Sequence, residues 1–130
     1  MTTKTFIEEI RFRLTQYPHV IAQEGGNTIS VSPEGGFKVW AVDQGDEYTV
    51  GFDGWHEHFD DMNDAIHCFA WGLSTKCRLK VVSKGGEPCR WTAQVLINGE
   101  WLDESTVGSV LTKFWKSSEE SYLHNTIIQF

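Results

Sequence analysis

Between Tyr48 and Phe59 the chain reads YTVGF-DG-WHEHF, two strand-like runs joined by Asp53-Gly54. A two-residue Asp-Gly loop is the form preferred by tight type I′ hairpins, whose central residues need positive φ. Nothing else constrains the chain as much, because so short a loop sets the register outright. Phe52 must lie opposite Trp55, Val50 opposite Glu57, and Tyr48 opposite Phe59. Side chains alternate across a strand, so Tyr48, Val50, Phe52, Trp55 and Phe59 share one face, the core face. Thr49, Gly51, His56 and His58 share the other. Glu57 is left as a lone acid among apolar neighbours.

The remaining pattern supplies the elements around this hairpin. Thr5-Phe6-Ile7-Glu8 has the form of a capping box, and Phe6, Ile7, Ile10, Leu14 and Tyr17 recur at helical spacing up to Pro18. Strands are expected over 28–32, 37–43 and 48–52, with turns at 33–36 and 44–46. In 37–43 both Phe37/Val39/Ala41 and Lys38/Trp40/Val42 are partly apolar, which implies cover on both sides. Asp60 or Asp61 caps a second helix, whose stripe is Met62, Ala65, Ile66, Phe69, Ala70 and Leu73. Gly72 suggests its end.

Strands over 77–83, 89–97 and 100–104 follow, the last two joined by Asn98-Gly99. That hairpin sets Val95 opposite Leu102 on the core face and Leu96 opposite Trp101 on the outer face, beside Thr92, Gln94 and Asp103. Val107, Val110, Leu111, Phe114 and Trp115 have the spacing of a third helix. Residues 117–120 read as a turn and 122–130 as a final strand. The expected fold is a single α+β domain: an antiparallel sheet of hairpins with two or three helices packed on one face. The strands lie too close in sequence for βαβ crossovers.

Charge narrows the partners. Eighteen acidic residues against 11 basic ones give −7, and no basic stripe is present for phosphate backbones, so nucleic acid is not expected. No apolar run approaches the ~18 residues of a membrane span, and residues 1–5 do not read as a secretory signal. Cys68, Cys77 and Cys89 lack metal or disulfide spacing and read as buried thiols of a reducing cytoplasm. His67 and Cys68 diverge by ~100° on a helix and make no dyad.

His56-Glu57-His58-Phe59-Asp60 resembles part of the metallo-β-lactamase motif, but the closing histidine is missing, Asp61 following Asp60 in its place. It resembles a cupin motif less, since Gly51 precedes His56 by one residue too few. A family-free zinc site would use His56 and His58, about 7 Å apart on one strand face, with His124 or Asp103 as third ligand. The pair reads better as two solvent-facing histidines, and no metal or other cofactor is expected. Glu57, desolvated, would have a raised pKa suited to acid-base work. An inward charge that discourages edge pairing is the favoured reading, because no nucleophile or second carboxylate is placed beside it. No catalytic residue is assigned. The Gly-Gly pairs sit in turns and make no phosphate loop.

The outer face carries the functional expectation. Leu96 and Trp101 form an apolar pair where water is expected, in a chain with six tryptophans. Such a face implies a partner, a second layer or a groove. The order helix, three strands, helix, two strands, helix, in an acidic chain, is similar to type III secretion chaperones. In composition the chain also resembles toxin-neutralising immunity proteins. The expected function is a non-enzymatic protein-interaction module, a homodimer or an adaptor. Its binding residues are Leu96 and Trp101, with His56, His58 and Glu57. The alternative is a small-molecule binder or enzyme with a pocket near Glu57 and the His56/His58 pair.

Overall fold

The computed structural model describes residues 4–108 and 117–129. Helix α1 (Phe6–Leu14) starts at the expected box: Glu8 N–H donates to Thr5 Oγ1 at 3.2 Å and Thr5 N–H to Glu8 Oε2 at 3.4 Å. It stops one turn before Pro18. Strands β1 (Ala22–Gly25), β2 (Thr28–Val31), β3 (Val39–Asp43), β4 (Tyr48–Phe52) and β5 (Trp55–Phe59) follow as a sequential antiparallel meander. Strand β1 is an addition to the expected set. Its AQEG sequence has no apolar alternation, and tertiary pairing with β2 through a tight turn at Gly26-Asn27 makes it a strand.

The Asp53-Gly54 hairpin has the expected pairs: Phe52 with Trp55, Val50 with Glu57, Tyr48 with Phe59. Asp53 takes φ 48°, while both central residues of Asn98-Gly99 are at positive φ, 52° and 81°. The core face is equally as expected, with Val50, Phe52 and Trp55 fully buried. Trp55 stacks on Phe52, centroids 4.5 Å apart.

Asp61 caps helix α2 (Met62–Gly72), accepting from Asn63 N–H at 2.8 Å. Ala65, Ile66 and Phe69 are buried as the stripe requires, and Cys68 is buried with them. Gly72 is the last residue of the helix and is held to glycine by packing: a Cβ there would strike the Phe52 ring. Both helices pack chiefly on the five-stranded meander, α1 on β2 and β3, α2 on β3, β4 and β5, and α2 also touches the strand at Cys77–Lys84.

The remaining strands form a second sheet. Strands β6 (Cys77–Lys84), β7 (Glu87–Ile97), β8 (Glu100–Gly108) and β9 (Ser118–His124) lie in the order β8-β7-β6-β9, all antiparallel. The α+β class therefore holds, with the antiparallel strands divided between two sheets. One apolar cluster joins them, from Phe6 and Ile10 through Phe52 and Trp55 to Leu79 and Ala93.

Three expectations at the chain's far end change. Strand β8 runs on to Gly108, so Val107 belongs to a strand and packs against the core cluster. The rest of the expected third helix lies outside the described residues. Residues 118–120 are strand, not turn, because they pair with β6. The final strand ends at His124, and Ile128 makes only an isolated bridge to Ser74. Leu102 pairs with Val95 as expected but is 44 % exposed, since it sits where the hairpin projects beyond the core.

Asn125 ties these parts together. Fully buried, it accepts from Phe37 N–H at 3.1 Å and donates to the carbonyls of Phe37 (3.1 Å) and Gly72 (3.0 Å). All its side-chain polar atoms are thereby used, as burial demands. A Cβ at Gly36 would occupy the place of its Oδ1.

Candidate interaction face

The five expected binding residues fall in three places. His56 and His58 stand on the outer face of the meander, their rings 5.5 Å apart. That face is roofed in part by Trp40, whose indole lies over Gly51 and donates from Nε1 to the Asp53 carbonyl at 2.9 Å. Gly51 accommodates the ring because it has no side chain. His58 Nδ1 sits 2.7 Å from Thr49 Oγ1 and 3.5 Å from Glu47 Oε1. Thr49 Oγ1 also lies 2.8 Å from Gln44 Oε1, which accepts its proton, so His58 is the donor toward Thr49.

His124 and Asp103, the candidate third zinc ligands, belong to the other sheet and have other partners. Asp103 accepts from Gln94 Nε2 at 2.8 Å, and His124 Nε2 donates to the Thr75 carbonyl at 2.9 Å. Among the described residues no three His, Cys, Asp or Glu side chains gather into a group able to hold a metal.

Glu57 is half-buried on the core side of β5. Desolvation holds its carboxyl above the ordinary range, and the nearby Glu104 carboxylate raises it further. Sequence reasoning placed no second carboxylate there. Glu104 arrives through a break in the β7–β8 ladder, where Ala93 pairs with Ser105 and Gln94 with Asp103, leaving Glu104 as the extra residue. Such a bulge re-aims a side chain. Beside it Ser105 Oγ accepts from Trp55 Nε1 at 2.9 Å, fastening one sheet to the other. The Cys68 and Cys77 thiols are pushed up, chiefly by burial. They are packing groups, since thiolate chemistry needs the opposite shift.

Leu96 and Trp101 pair on the outer face of the four-stranded sheet, both half-buried. This face proves to be an ordered layer of mixed character. Arg78, the second residue of β6, lies against two aromatic rings: its guanidinium carbon is 4.7 Å from the Trp101 centroid and 4.2 Å from that of Tyr122. Arg78 Nε donates to Gln94 Oε1 at 2.8 Å, and Gln94 in turn holds Asp103. His124 packs edge-on against Trp101, centroids 5.4 Å apart. Lys80 and Glu120 form an adjacent ion pair at 3.5 Å, and Tyr122 Oη donates to Glu120 at 3.1 Å.

Arg78, Gln94, Tyr122 and His124 were not among the expected binding residues. The alternation of β6 and β7 already put Arg78 and Gln94 on outer positions. What was missing is the pairing of the final strand β9 with β6, which delivers Tyr122 and His124 to that face.

A cleft of about 540 Å³ adjoins this layer, lined by His19, Ile21, Ser32, Glu34, His124 and Thr126 among others. His124 thus belongs to both. Among the described residues no helix is long and apolar enough to cross a membrane. Comparison of the chain with protein families, curated proteins and solved structures finds no match.

Proposed function

We propose that the chain is a non-enzymatic protein-interaction module of the cytoplasm that binds a protein partner, or a second copy of itself, through the outer face of the four-stranded sheet. The observation that carries this is the Trp101–Arg78–Tyr122 stack. Trp, Tyr and Arg are the residue types that dominate binding hot spots. Here all three are held in one layer before any partner arrives, so less side-chain entropy is lost on association. Tyr122 is 46 % exposed, so the stack is open to a partner. The cytoplasmic setting rests on three free thiols, as a reducing compartment favours.

The test is the solution mass of the full chain by light scattering over a hundredfold range of concentration, with the Trp101→Ala variant beside it. Trp101→Ala should weaken self-association, or binding to a partner recovered with the chain, by about 2 kcal/mol or more. Association indifferent to Trp101→Ala removes this face from the proposal.

The second reading, a small-molecule site, is favoured by one observation, the convergence of Glu104 on Glu57. The histidine pair does not join that site, because His56 and His58 alternate to the opposite face of β5.

A further inference from the structure

We infer that the Nη edge of Arg78 is a receptor for a carboxylate carried by an Asp or Glu side chain of the partner protein. This rests on the interaction reading above and adds the chemistry of what is recognised.

The guanidinium is fixed on three sides. The Trp101 and Tyr122 rings both lie against it, 4.7 and 4.2 Å from centroid to guanidinium carbon, and Nε is spent on Gln94, itself anchored by Asp103. Rotation about the long side chain, which usually makes an exposed arginine a poor anchor, is already suppressed. What remains is the pair of Nη groups. No acceptor faces them among the described residues, although the side chain is only partly exposed. No buried side-chain nitrogen among the described residues lacks a partner, so the Nη groups reach the surface and can meet an incoming acceptor.

The neighbouring acids Asp103 and Glu120 are committed elsewhere. Asp103 takes the Gln94 amide, and Glu120 takes Lys80 and Tyr122 Oη. The edge left open is a planar fork, the shape that matches a carboxylate by two parallel N–H···O bonds. A singly charged carboxylate also suits the surroundings better than phosphate. The dianion would meet the fields of Asp103 and Glu120 in a chain of net charge −7, with Arg78 alone as a free cation there among the described residues. A partner's acidic side chain arriving with its surrounding surface would in addition exclude water from the stack, which strengthens the pairing.

Nitrogen-detected NMR on the full-length labelled chain tests this through the Arg78 Nε–H and Trp101 indole N–H signals. The probes are a glutamate capped at both ends, its glutamine counterpart, and inorganic phosphate at matched ionic strength. Capped glutamate should shift both signals saturably and capped glutamine should not. Arg78→Lys should bind the glutamate probe at least roughly tenfold more weakly, since an ammonium offers neither the fork nor the stacking plane. Equal shifts with glutamate and glutamine, a stronger response to phosphate, or an unimpaired Arg78→Lys would each overturn the inference. If Arg78→Lys does not fold, the glutamate–glutamine comparison on the unmodified chain decides alone. Association lost in Trp101→Ala without a glutamate response removes only the carboxylate. A glutamate response with association indifferent to Trp101→Ala removes the interface reading instead.

Discussion

Asn125 shows how much a single side chain can hold in this molecule. It replaces strand pairing at Phe37 and caps the last carbonyl of α2 at Gly72, so three backbone groups depend on it. Asn125→Leu keeps the volume but strands those groups in the interior. Unfolding in urea should show a loss of about 3 kcal/mol or more, because each orphaned buried group costs ~1–3 kcal/mol. A loss below ~1 kcal/mol would mean that water reaches those groups after all. No local pattern announces this residue. Asn125 follows a strand and looks like loop punctuation, and its partner Phe37 is 88 residues away. Glu57 is the contrasting case: alternation from a two-residue turn was enough to place it on the core side. Its neighbour Glu104 was illegible, because it depends on a bulge that no alternation rule foresees.

Among elements, β8 is the most informative. With Glu104 present, Asp103 faces outward to Gln94 and Ser105 inward to Trp55. Deleting Glu104 would make those two neighbours and restore plain alternation, so both contacts survive and the chain should fold. The acid removed is the one that raises Glu57 alongside desolvation. A carboxyl raised by folding binds its proton more tightly in the native state. Its stabilising contribution is complete below the ordinary value of 4.5 and is lost as pH rises through the folded value. Urea unfolding of the parent chain should therefore show that contribution fading above pH 4.5, and the deletion should shrink the effect. An unchanged pH profile in the deletion variant would show that Glu104 does not act on Glu57. The elements themselves were read with uneven success for a physical reason. Helices and hairpins with local caps and turns (Thr5, Asp61, Asp53-Gly54, Asn98-Gly99) came through. Strand β1, made by pairing with a neighbour already in place, did not, and the final strand, expected over 122–130, lies instead at Ser118–His124 because its pairing with β6 sets its bounds.

At the scale of the whole molecule, the two sheets share one core. Trp55 belongs to the meander yet reaches Ser105 of the other sheet, and both sheets contribute to a single apolar cluster. The described chain should accordingly unfold as one unit. Far-UV circular dichroism and tryptophan fluorescence should give superimposable urea transitions, and two separated midpoints would show that the sheets are independent. The outward placement of Leu96 and Trp101 followed from one hairpin. The composite layer around Arg78 did not, because it takes three strands and the pairing of β9 with β6 to assemble.

The Asn125 latch has a consequence in time as well as in energy. The meander β1-β2-β3-β4-β5 joins neighbours in sequence and can form early, since short loops close at little entropic cost. The bonds from Asn125 to Phe37 bridge the longest stretch of chain of any side-chain contact described above and can close only after both sheets stand. Interactions made that late are absent from the transition state, so they govern how slowly the native chain opens and leave its rate of assembly almost untouched. The lifetime of the folded protein is set largely by its last knot to be tied.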